Sequence, residues 1–331
     1  MSRRIFALTL VSAFACAPVC AVATALPDPD LSPLIATIGL PRANEGANLL
    51  PQSVTRWRTS VATASHSVQD SNDDETLLFD GETTRLAVGI DYGVSERLQI
   101  GLEVPYLLHE SGGLDHFVES WHDWFGLPNG IRGLTEDDQL NFFYQSPTAE
   151  QLSVQQNQRG LGDIRLLAAW QLNRDAHSAT AVRASLQLPT GKSERLTGSG
   201  SGTLSFGIAG DYSEIFGRPR FSSFYRANLV APLEPDRFAD RAKPLIGVFA
   251  AGISAQANSR LELTLQGLLR SAAYDSDTRM LGEAAFLLNV GGTISLSDTL
   301  ELTIAVGEDL RVDSAPDVTL ALMLQYAPLN D

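Results

Sequence analysis

Residues 83–106 read TTRLAVGIDYGVSERLQIGLEVPY, and this stretch decides the fold. Apolar and polar side chains alternate on both sides of the segment GVSER at 93–97. Because successive side chains of a β-strand point to opposite faces, each half predicts a strand with one apolar and one polar face. Each half has about ten residues, the length that a tilted strand needs to cross the hydrocarbon of a bilayer. The stretch therefore predicts a hairpin of a transmembrane β-barrel.

The same alternation recurs along the chain and predicts twelve strands. Short turns at one end and longer loops at the other are typical of outer-membrane barrels, and an even number of strands places both termini in the periplasm. We predict an all-β fold, a transmembrane antiparallel β-barrel of about twelve strands, with a long extracellular loop at 109–159 that contains a short helix. The predicted strands lie at 53–64, 83–92, 98–106, 164–172, 182–188, 204–212, 221–229, 245–256, 261–270, 284–296, 300–310 and 318–326.

The first 25 residues predict a cleaved secretory signal peptide, since two arginines precede an apolar run that ends at the small-residue site ATA, 23–25. Cys16 and Cys20 lie in this segment, so the mature chain would hold no cysteine for a disulfide or a thiolate metal site. Prolines between residues 26 and 52 predict an irregular segment, either periplasmic or inserted in the lumen. The barrel is predicted at 53–326, with a tail at 327–331.

Composition excludes two classes of protein. The first is the helical membrane proteins. Although 44% of the residues are hydrophobic, no apolar run after the signal peptide is long enough for a membrane-spanning helix. The net charge of -15 becomes -17 once Arg3 and Arg4 are removed with the signal peptide, and such an acidic chain lacks the basic surface needed to bind nucleic acid. A secreted soluble barrel or sandwich is the alternative, since alternation alone does not say which face contacts water. The export signal, strand length and loop pattern favour the membrane barrel.

A membrane barrel of this kind has aromatic side chains at the membrane interfaces and polar side chains in the lumen. The predicted aromatic girdle consists of Tyr92, Tyr106, Trp170, Tyr212, Phe221 and Tyr326. Charges of both signs on the polar faces of the strands predict ion pairs that line the lumen or partly close it. These lumen-lining residues are Arg85, Asp91, Glu103, Asp163, Arg165, Arg183, Asp211, Arg226, Glu262, Arg270, Glu301 and Asp309.

The sequence HES at 109–111 is the most enzyme-like motif. It places His109 two residues before Ser111, as in outer-membrane phospholipase A, where the serine attacks an ester and the histidine accepts its proton. Gly112 stands where that motif has asparagine, and no orienting third residue can be named. His109 and Ser111 are therefore catalytic candidates for a lipid hydrolase, with a turn at the barrel rim as the alternative.

Apolar residues at helical spacing between positions 114 and 125 predict a short amphipathic helix in the long loop. We interpret this helix as a plug over the barrel mouth. The alternative is that its aromatic residues contact an apolar solute or the outer leaflet. The predicted loop gate consists of Phe117, Trp121, Trp124 and Phe125.

No cofactor and no resident metal are predicted. TGKS at 190–193 lacks the glycine that a phosphate-binding loop needs five residues before Gly191. An acidic loop predicted at 66–81 contains the calcium-like spacing Asp70, Asn72, Asp74, but Glu75 occupies the position that requires glycine. Adventitious divalent cations that bridge lipopolysaccharide phosphates are the alternative to a solvated loop there.

Several segments together resemble a bacterial family catalogued as domain of unknown function 3187. They are IGLPR at 38–42, LFDGET at 78–83, WHDWFGLP at 121–128, GLGD at 160–163, LPTG at 188–191 and GSG at 198–200. The resemblance covers nearly the whole mature chain and implies an outer-membrane β-barrel without an assigned activity or catalytic residues.

The leading functional hypothesis is a narrow passive channel for small solutes in the outer membrane, with the loop at 109–159 controlling access. A twelve-strand barrel is only slightly wider than one filled by its own side chains, which limits the channel to a narrow one. The alternatives are a non-conducting structural or surface-interaction barrel closed by salt bridges, and a lipid hydrolase using Ser111 and His109. The predicted partners are outer-membrane lipid, lipopolysaccharide, the barrel-assembly machinery and a small solute.

Overall fold

The computed structural model describes residues 24–27, 29–42, 44–126, 139–148 and 150–328. Residues 1–23 of the predicted signal peptide and residues 329–331 of the predicted tail therefore lie outside the described residues, as does the side chain of Phe125.

The described chain contains fifteen strands and two α-helices. The helices α1 (Asp115–Phe125) and α2 (Arg279–Gly282) are short, and none of the described helices has the length and apolar composition needed to cross a membrane. The strands are β1 (Thr55–Ser71), β2 (Thr76–Ser95), β3 (Leu98–Glu110), β4 (Asn141–Gln145), β5 (Gln151–Val154), β6 (Gln158–Leu161), β7 (Ile164–Arg174), β8 (Ser178–Leu188), β9 (Gly202–Ser213), β10 (Phe221–Leu233), β11 (Ile246–Gln256), β12 (Leu261–Arg270), β13 (Ala285–Ser295), β14 (Leu300–Asp309) and β15 (Val318–Tyr326).

Twelve of these strands form a closed antiparallel barrel. β1 to β3 are followed around the barrel by β7, and β7 to β15 continue in chain order. The barrel closes where β15 pairs with β1, from Trp57 opposite Tyr326 to Ser65 opposite Val318. We refer to this β1–β15 contact as the seam. The prediction of a twelve-strand antiparallel barrel with a short helix is confirmed.

The two ends of the barrel differ. At one end the strands are joined by short turns, such as those between Ser95 and Leu98 and between Gln256 and Leu261, and this end also holds the start of β1. We call it the short-turn end. The opposite, long-loop end carries the longer connections, including those that follow Glu110, Leu188 and Arg270.

Two predicted loops contain paired strand residues. Residues 66–81 were predicted to form an acidic loop, but β1 and β2 stay paired until Ser71 and Thr76. The prediction was wrong because the inward side chains of this extension, among them Val68 and Phe79, are buried in an apolar core at the long-loop end. Within the predicted loop at 109–159, the described residues include α1 and short strands, of which β4 pairs with the start of β2 and β6 with the end of β3.

The two faces of the wall differ as the alternation predicts. Leu86, Ile100 and Leu166 point outward and are 44%, 47% and 42% exposed, and other large apolar side chains share this face. The intervening Arg85 and Arg165 are buried inside. Soluble proteins rarely expose continuous apolar surface of this extent, whereas a bilayer covers it. The barrel is therefore a transmembrane barrel with an apolar outer face.

Candidate functional site in the barrel lumen

The N-terminal segment lies inside the barrel. Its first arm rises along β12, where the Leu26 N–H donates to Gln266 Oε1 at 2.9 Å and the Asp30 carboxylate accepts from Arg270 Nε at 2.9 Å. A 3-10 turn at Ile35–Thr37 then reverses the chain near the long-loop end. Because Gln266 and Arg270 are inward side chains of the wall, this arm fills the lumen.

The second arm descends along β8 and β9. The carbonyl of Thr37 accepts from Gln187 Nε2 on β8 at 2.7 Å, and the Ala47 N–H donates to Asp211 Oδ2 on β9 at 2.7 Å. At the bottom the Leu50 N–H donates to Gln99 Oε1 at 2.9 Å, just before the chain enters β1. We call residues 26–50 the plug, and both of its ends point toward the short-turn end.

Glutamine side chains of the wall hold the backbone of the plug. The plug is rich in proline and forms little regular structure, so its backbone N–H and C=O groups need partners elsewhere. Gln99, Gln171, Gln187 and Gln266 each bond to at least one of these groups. Strand side chains thus take the place of a neighbouring strand for the plug.

A buried ion-pair cluster occupies the middle of the lumen. The Glu103 carboxylate lies 2.8 Å from Arg85, 3.3 Å from Arg42 of the plug and 3.5 Å from Arg165. Glu45 of the plug lies 3.1 Å from Arg165 and 3.9 Å from Arg183. The plug therefore supplies a cation to a wall carboxylate and a carboxylate to wall cations. Buried charges are tolerated only when they are paired, so the plug completes the electrostatics of the wall.

Three further ion pairs lie nearer the short-turn end, two at Asp91 and one at Asp211. Asp91 faces Arg56 at 3.1 Å and Arg58 at 3.2 Å, all three on the wall. Asp211 faces Arg226 at 2.6 Å while it also accepts from the plug backbone. The two pairs at Asp91 belong to the wall alone, whereas Asp211 also fastens the plug.

The remaining predicted lumen residues serve different parts of the structure. Asp163 accepts from the backbone of Gly191 and Ser199, and so it organises the loop after β8. Asp309 accepts from the backbone of Ser314 and Ala315 in the loop before β15. Glu262 and Glu301 line a cavity instead.

That cavity has a volume of about 390 Å³ and lies at the short-turn end, between Thr24 and Ala25 just before the plug, the second arm of the plug at residues 44–48, and the wall. Its lining is polar and carries both signs of charge, including Arg56, Arg226 and Arg260 beside the two glutamates. Above it, a second cavity of only about 40 Å³ lies between Pro29–Leu31, Arg42 and Arg165. The plug thus separates a roomy vestibule from the upper lumen.

An apolar core closes the long-loop end. Leu34, Ile35 and Ile38 of the plug pack there with inward side chains of the wall and with residues of the loops. The residues from these connections include Phe142 and Tyr144 of β4, Phe238 and Tyr274 of the loops, and Met280 and Leu281 of α2. Burial raises the pKa of the Tyr274 phenol above its usual value, in keeping with a dry environment. Arg241 pairs with Glu75 above this core and fastens the tip of the β1–β2 hairpin.

His109 and Ser111 are not arranged as a nucleophile and its base. His109 is fully buried, its Nδ1 lies 3.1 Å from Thr83 Oγ1, and its Nε2 lies 2.9 Å from the carbonyl oxygen of Leu196. Both ring nitrogens therefore bond to groups other than Ser111. Thr83 also bonds to His66 at 3.2 Å. His109 therefore belongs to a buried structural network at the long-loop end.

The loop helix forms where the sequence predicts it, but it does not cover the barrel mouth. The Glu82 carboxylate accepts from the Gly113 N–H at 2.8 Å just before α1 begins, and His122 lies 3.4 Å from Glu308 near its end. Both glutamates project from the outer face of the wall, so α1 lies outside the barrel. The loop gate predicted at Phe117, Trp121 and Trp124 is thus displaced from the mouth, and the side chain of Phe125 lies outside the described residues.

Five of the six predicted girdle residues are well exposed on the outer face, namely Tyr92, Tyr106, Trp170, Tyr212 and Tyr326, and Phe221 is partly buried. Tyr212 and Tyr225 stack with ring centroids 6.2 Å apart. Trp57 is half exposed opposite Tyr326 and belongs to the same level of the wall.

A family model described as "Protein of unknown function (DUF3187)" matches residues 3–327. The chain belongs to this family. Among solved structures, an outer-membrane channel from Pseudomonas putida F1 is 13% identical with a TM-score of 0.54, covering 86% of this chain and 98% of that chain. The NanC porin is 8% identical with a TM-score of 0.47, covering 83% and 100% of the two chains. The first of these likenesses shows the fold alone. The comparison with curated proteins gives no match.

The sequence analysis did not predict the residues that hold the plug against the wall in this DUF3187 protein. Arg42 and Glu45 lie in an irregular segment, so no periodicity marks them as lumen residues. The inward glutamines looked like an ordinary polar face, although four glutamines at inward positions could have indicated an internal backbone partner. Within the described ranges, no cluster of three or more histidine, cysteine, aspartate or glutamate side chains could hold a metal ion.

Proposed function

We propose that this DUF3187 protein is a passive channel for small solutes in the outer membrane, and that the plug opens and closes it. One observation carries the proposal. The plug fills the lumen, yet side-chain contacts hold it, and among the described residues its chain continues into the wall through 51–54 at the start of β1. A segment attached in this way can shift without unfolding the barrel.

The chemistry of the contacts supports an exchangeable plug. Most bonds between plug and wall join a backbone group to a polar side chain, and water can replace either partner. An intramolecular hydrogen bond of this type contributes only about 0.5–1.5 kcal/mol net, because the separated groups bond to water instead. The vestibule of about 390 Å³ at the short-turn end, which Asn44, Gly46 and Asn48 line, provides space into which the second arm can move.

The topology gives the channel a direction. Short turns and both chain ends face the periplasm in barrels of this type, so the vestibule would open to the periplasm and the apolar core would face the cell exterior. Outer-membrane lipid and lipopolysaccharide would surround the apolar wall, and the barrel-assembly machinery would insert it. The signal peptide at 1–25 would export the chain.

A non-conducting barrel is the second candidate, and the apolar core with its buried ion pairs favours it. Such a barrel would need the plug only for stability. A lipid hydrolase receives no support from the positions of His109 and Ser111.

Substitution of Glu45 separates a channel from a non-conducting barrel. Glu45→Gln removes the plug charge that faces Arg165 and Arg183, so the closed state loses a charged contact of about 1.5–3 kcal/mol, equivalent to at least about a tenfold rise in the ratio of open to closed time. Single-channel recording of the mature protein in planar bilayers measures this ratio, and the unaltered protein should show brief openings.

Glu301→Gln is the matched control. Glu301 lines the vestibule and accepts from Gln325 of the wall, with no recorded bond to the described part of the plug. It should leave the open time unchanged. Silence of the unaltered protein and of Glu45→Gln alike would contradict the channel and favour the non-conducting barrel.

A further inference from the structure

Helix α1 lies on the outer face of the barrel, across the seam. Glu82, Ser65, Val318 and Glu308 are successive cross-strand partners on β2, β1, β15 and β14. Cross-strand partners share a face, and Glu82 is adjacent to the inward Thr83, so all four point outward. Nevertheless Ser65 and Val318 are each only 1% exposed. The helix, bonded to Glu82 at its start and to Glu308 near its end, passes over them.

Its length matches this path. Neighbouring strands lie about 4.8 Å apart, so β2 and β14 are separated by about 14 Å across three intervals. The helix rises about 1.5 Å per residue and therefore advances about 12 Å from Leu114 to His122. The axis of α1 must then run around the circumference of the barrel, parallel to the membrane plane.

The two flanks of the helix differ in chemistry. Val118 and His122 are buried against the wall. With about 100° per residue, Phe117, Trp121 and Trp124 fall on one flank, while His116, Glu119 and Asp123 fall on the other. The rings of Phe117 and Trp121 stack at 6.3 Å, and Trp124 is 81% exposed.

Backbone chirality decides which flank faces the membrane. On a rising strand seen from outside, an L-residue with its side chain inward directs its carbonyl to the left. Pro105, inward on the rising β3, accepts from the Gly162 N–H, so the strand that follows β3 lies on its left. Strands therefore succeed one another leftward, and β14 lies to the right of β2.

Helix α1 consequently runs from left to right when the long-loop end is uppermost. A right-handed helix in this orientation, with Val118 against the wall, carries Phe117, Trp121 and Trp124 on its lower flank. The lower flank faces the apolar belt, the ring of outward apolar side chains on the barrel wall. On β2 this belt begins at Leu86, the second outward residue below Glu82. Glu119 and Asp123 face away from the belt, toward the solvent.

We propose that α1 is an interfacial helix that binds the lipid leaflet at the long-loop end. Its aromatic flank continues the apolar belt into the boundary between acyl chains and headgroups, where tryptophan with its apolar ring and polar N–H is most stable. A helix that lies in the membrane plane with one aromatic and one charged flank has the properties of such a lipid-binding element. The inference is independent of the channel function.

Fluorescence quenching by brominated lipids tests this placement. Trp57→Phe and Trp170→Phe remove the tryptophans at the opposite end, leaving Trp121 and Trp124. In proteoliposomes, lipids brominated near the glycerol backbone should quench this emission strongly, and lipids brominated at the chain ends should quench it less. Heat modifiability in electrophoresis shows that each variant is folded.

The control places one tryptophan on the other flank. Glu119→Trp is combined with phenylalanine at positions 57, 121, 124 and 170, and its emission should lose little intensity with either brominated lipid. Equal quenching of the two variants would overturn the proposal, because the aromatic flank would then have no preferred contact with lipid. Stronger quenching from the chain ends would likewise overturn the interfacial depth.

Discussion

Deletion of residues 26–49 is expected to convert the barrel into a continuously open pore with a much larger conductance than that of the unaltered protein. The deletion removes both arms of the plug, including the backbone that bonds to the inward glutamines. It also removes Leu34, Ile35 and Ile38 from the apolar core, so the long-loop end loses its central packing. Planar-bilayer recording measures the change directly.

The positive charge of the inner wall should make the open pore selective for anions. Without the plug, Arg85, Arg165 and Arg183 remain around the single carboxylate of Glu103 in the middle of the lumen. An excess of positive charge in a low-dielectric passage attracts anions. The plug-deleted pore should therefore pass chloride more readily than potassium, and a reversal potential in a salt gradient measures this preference.

A replacement variant provides the control for chain length. Exchange of residues 26–49 for a glycine-serine sequence of equal length keeps the covalent connection but removes the side-chain contacts. It should conduct with frequent interruptions as the flexible chain enters and leaves the lumen. If the deletion variant folds and remains silent, the plug is not what closes this barrel.

Glu103→Gln is expected to cause the largest loss of stability from a single substitution. Glu103 faces Arg42, Arg85 and Arg165, so its neutralisation leaves three buried guanidinium groups with much less compensation. Breaking a buried ion pair by removing one partner typically costs about 3–5 kcal/mol. The free energy of unfolding, measured by urea titration in lipid vesicles, should fall by an amount in this range.

Two further variants test the cause. Glu301→Gln alters a wall glutamate that bonds to Gln325 and should cost no more than about 1.5 kcal/mol, the value of an ordinary hydrogen bond. Adding Arg42→Gln to Glu103→Gln removes one of the stranded charges and should restore part of the stability. A loss from Glu103→Gln no larger than that from Glu301→Gln would show that this cluster is not coupled as the distances indicate.

The barrel was predictable because alternation is a local signal. Each strand carries its own pattern, as the stretch at 83–106 shows, and the pattern also separates Leu86 outside from Arg85 inside. The extension of β1 and β2 to Ser71 and Thr76 was missed because its polar outer side chains interrupt the apolar alternation on that face. The alternation of apolar and polar side chains thus predicted the membrane-spanning part of the hairpin. It did not predict the extension, whose outer side chains lie beyond the apolar belt.

The contents of the lumen were not predictable in the same way. The plug has no periodicity, and its partners Gln266 and Asp211 lie more than 160 residues away along the chain. The helical spacing between positions 114 and 125 predicts α1 correctly, yet its position depends on two outward glutamates, Glu82 and Glu308. Contacts between distant segments of this kind leave no trace in a local pattern.

A reversible tether of the plug tests the central claim most directly. Ala47 of the plug and Ala209 on β9 pack in one apolar cluster, and residues 21–331 contain no cysteine, so the pair Ala47→Cys and Ala209→Cys can be joined selectively in a protein expressed without residues 1–25. Oxidised channels should stay closed in planar bilayers, and addition of a reductant should restore the brief openings of the unaltered protein. Identical recordings before and after reduction would contradict a plug that opens and closes the channel.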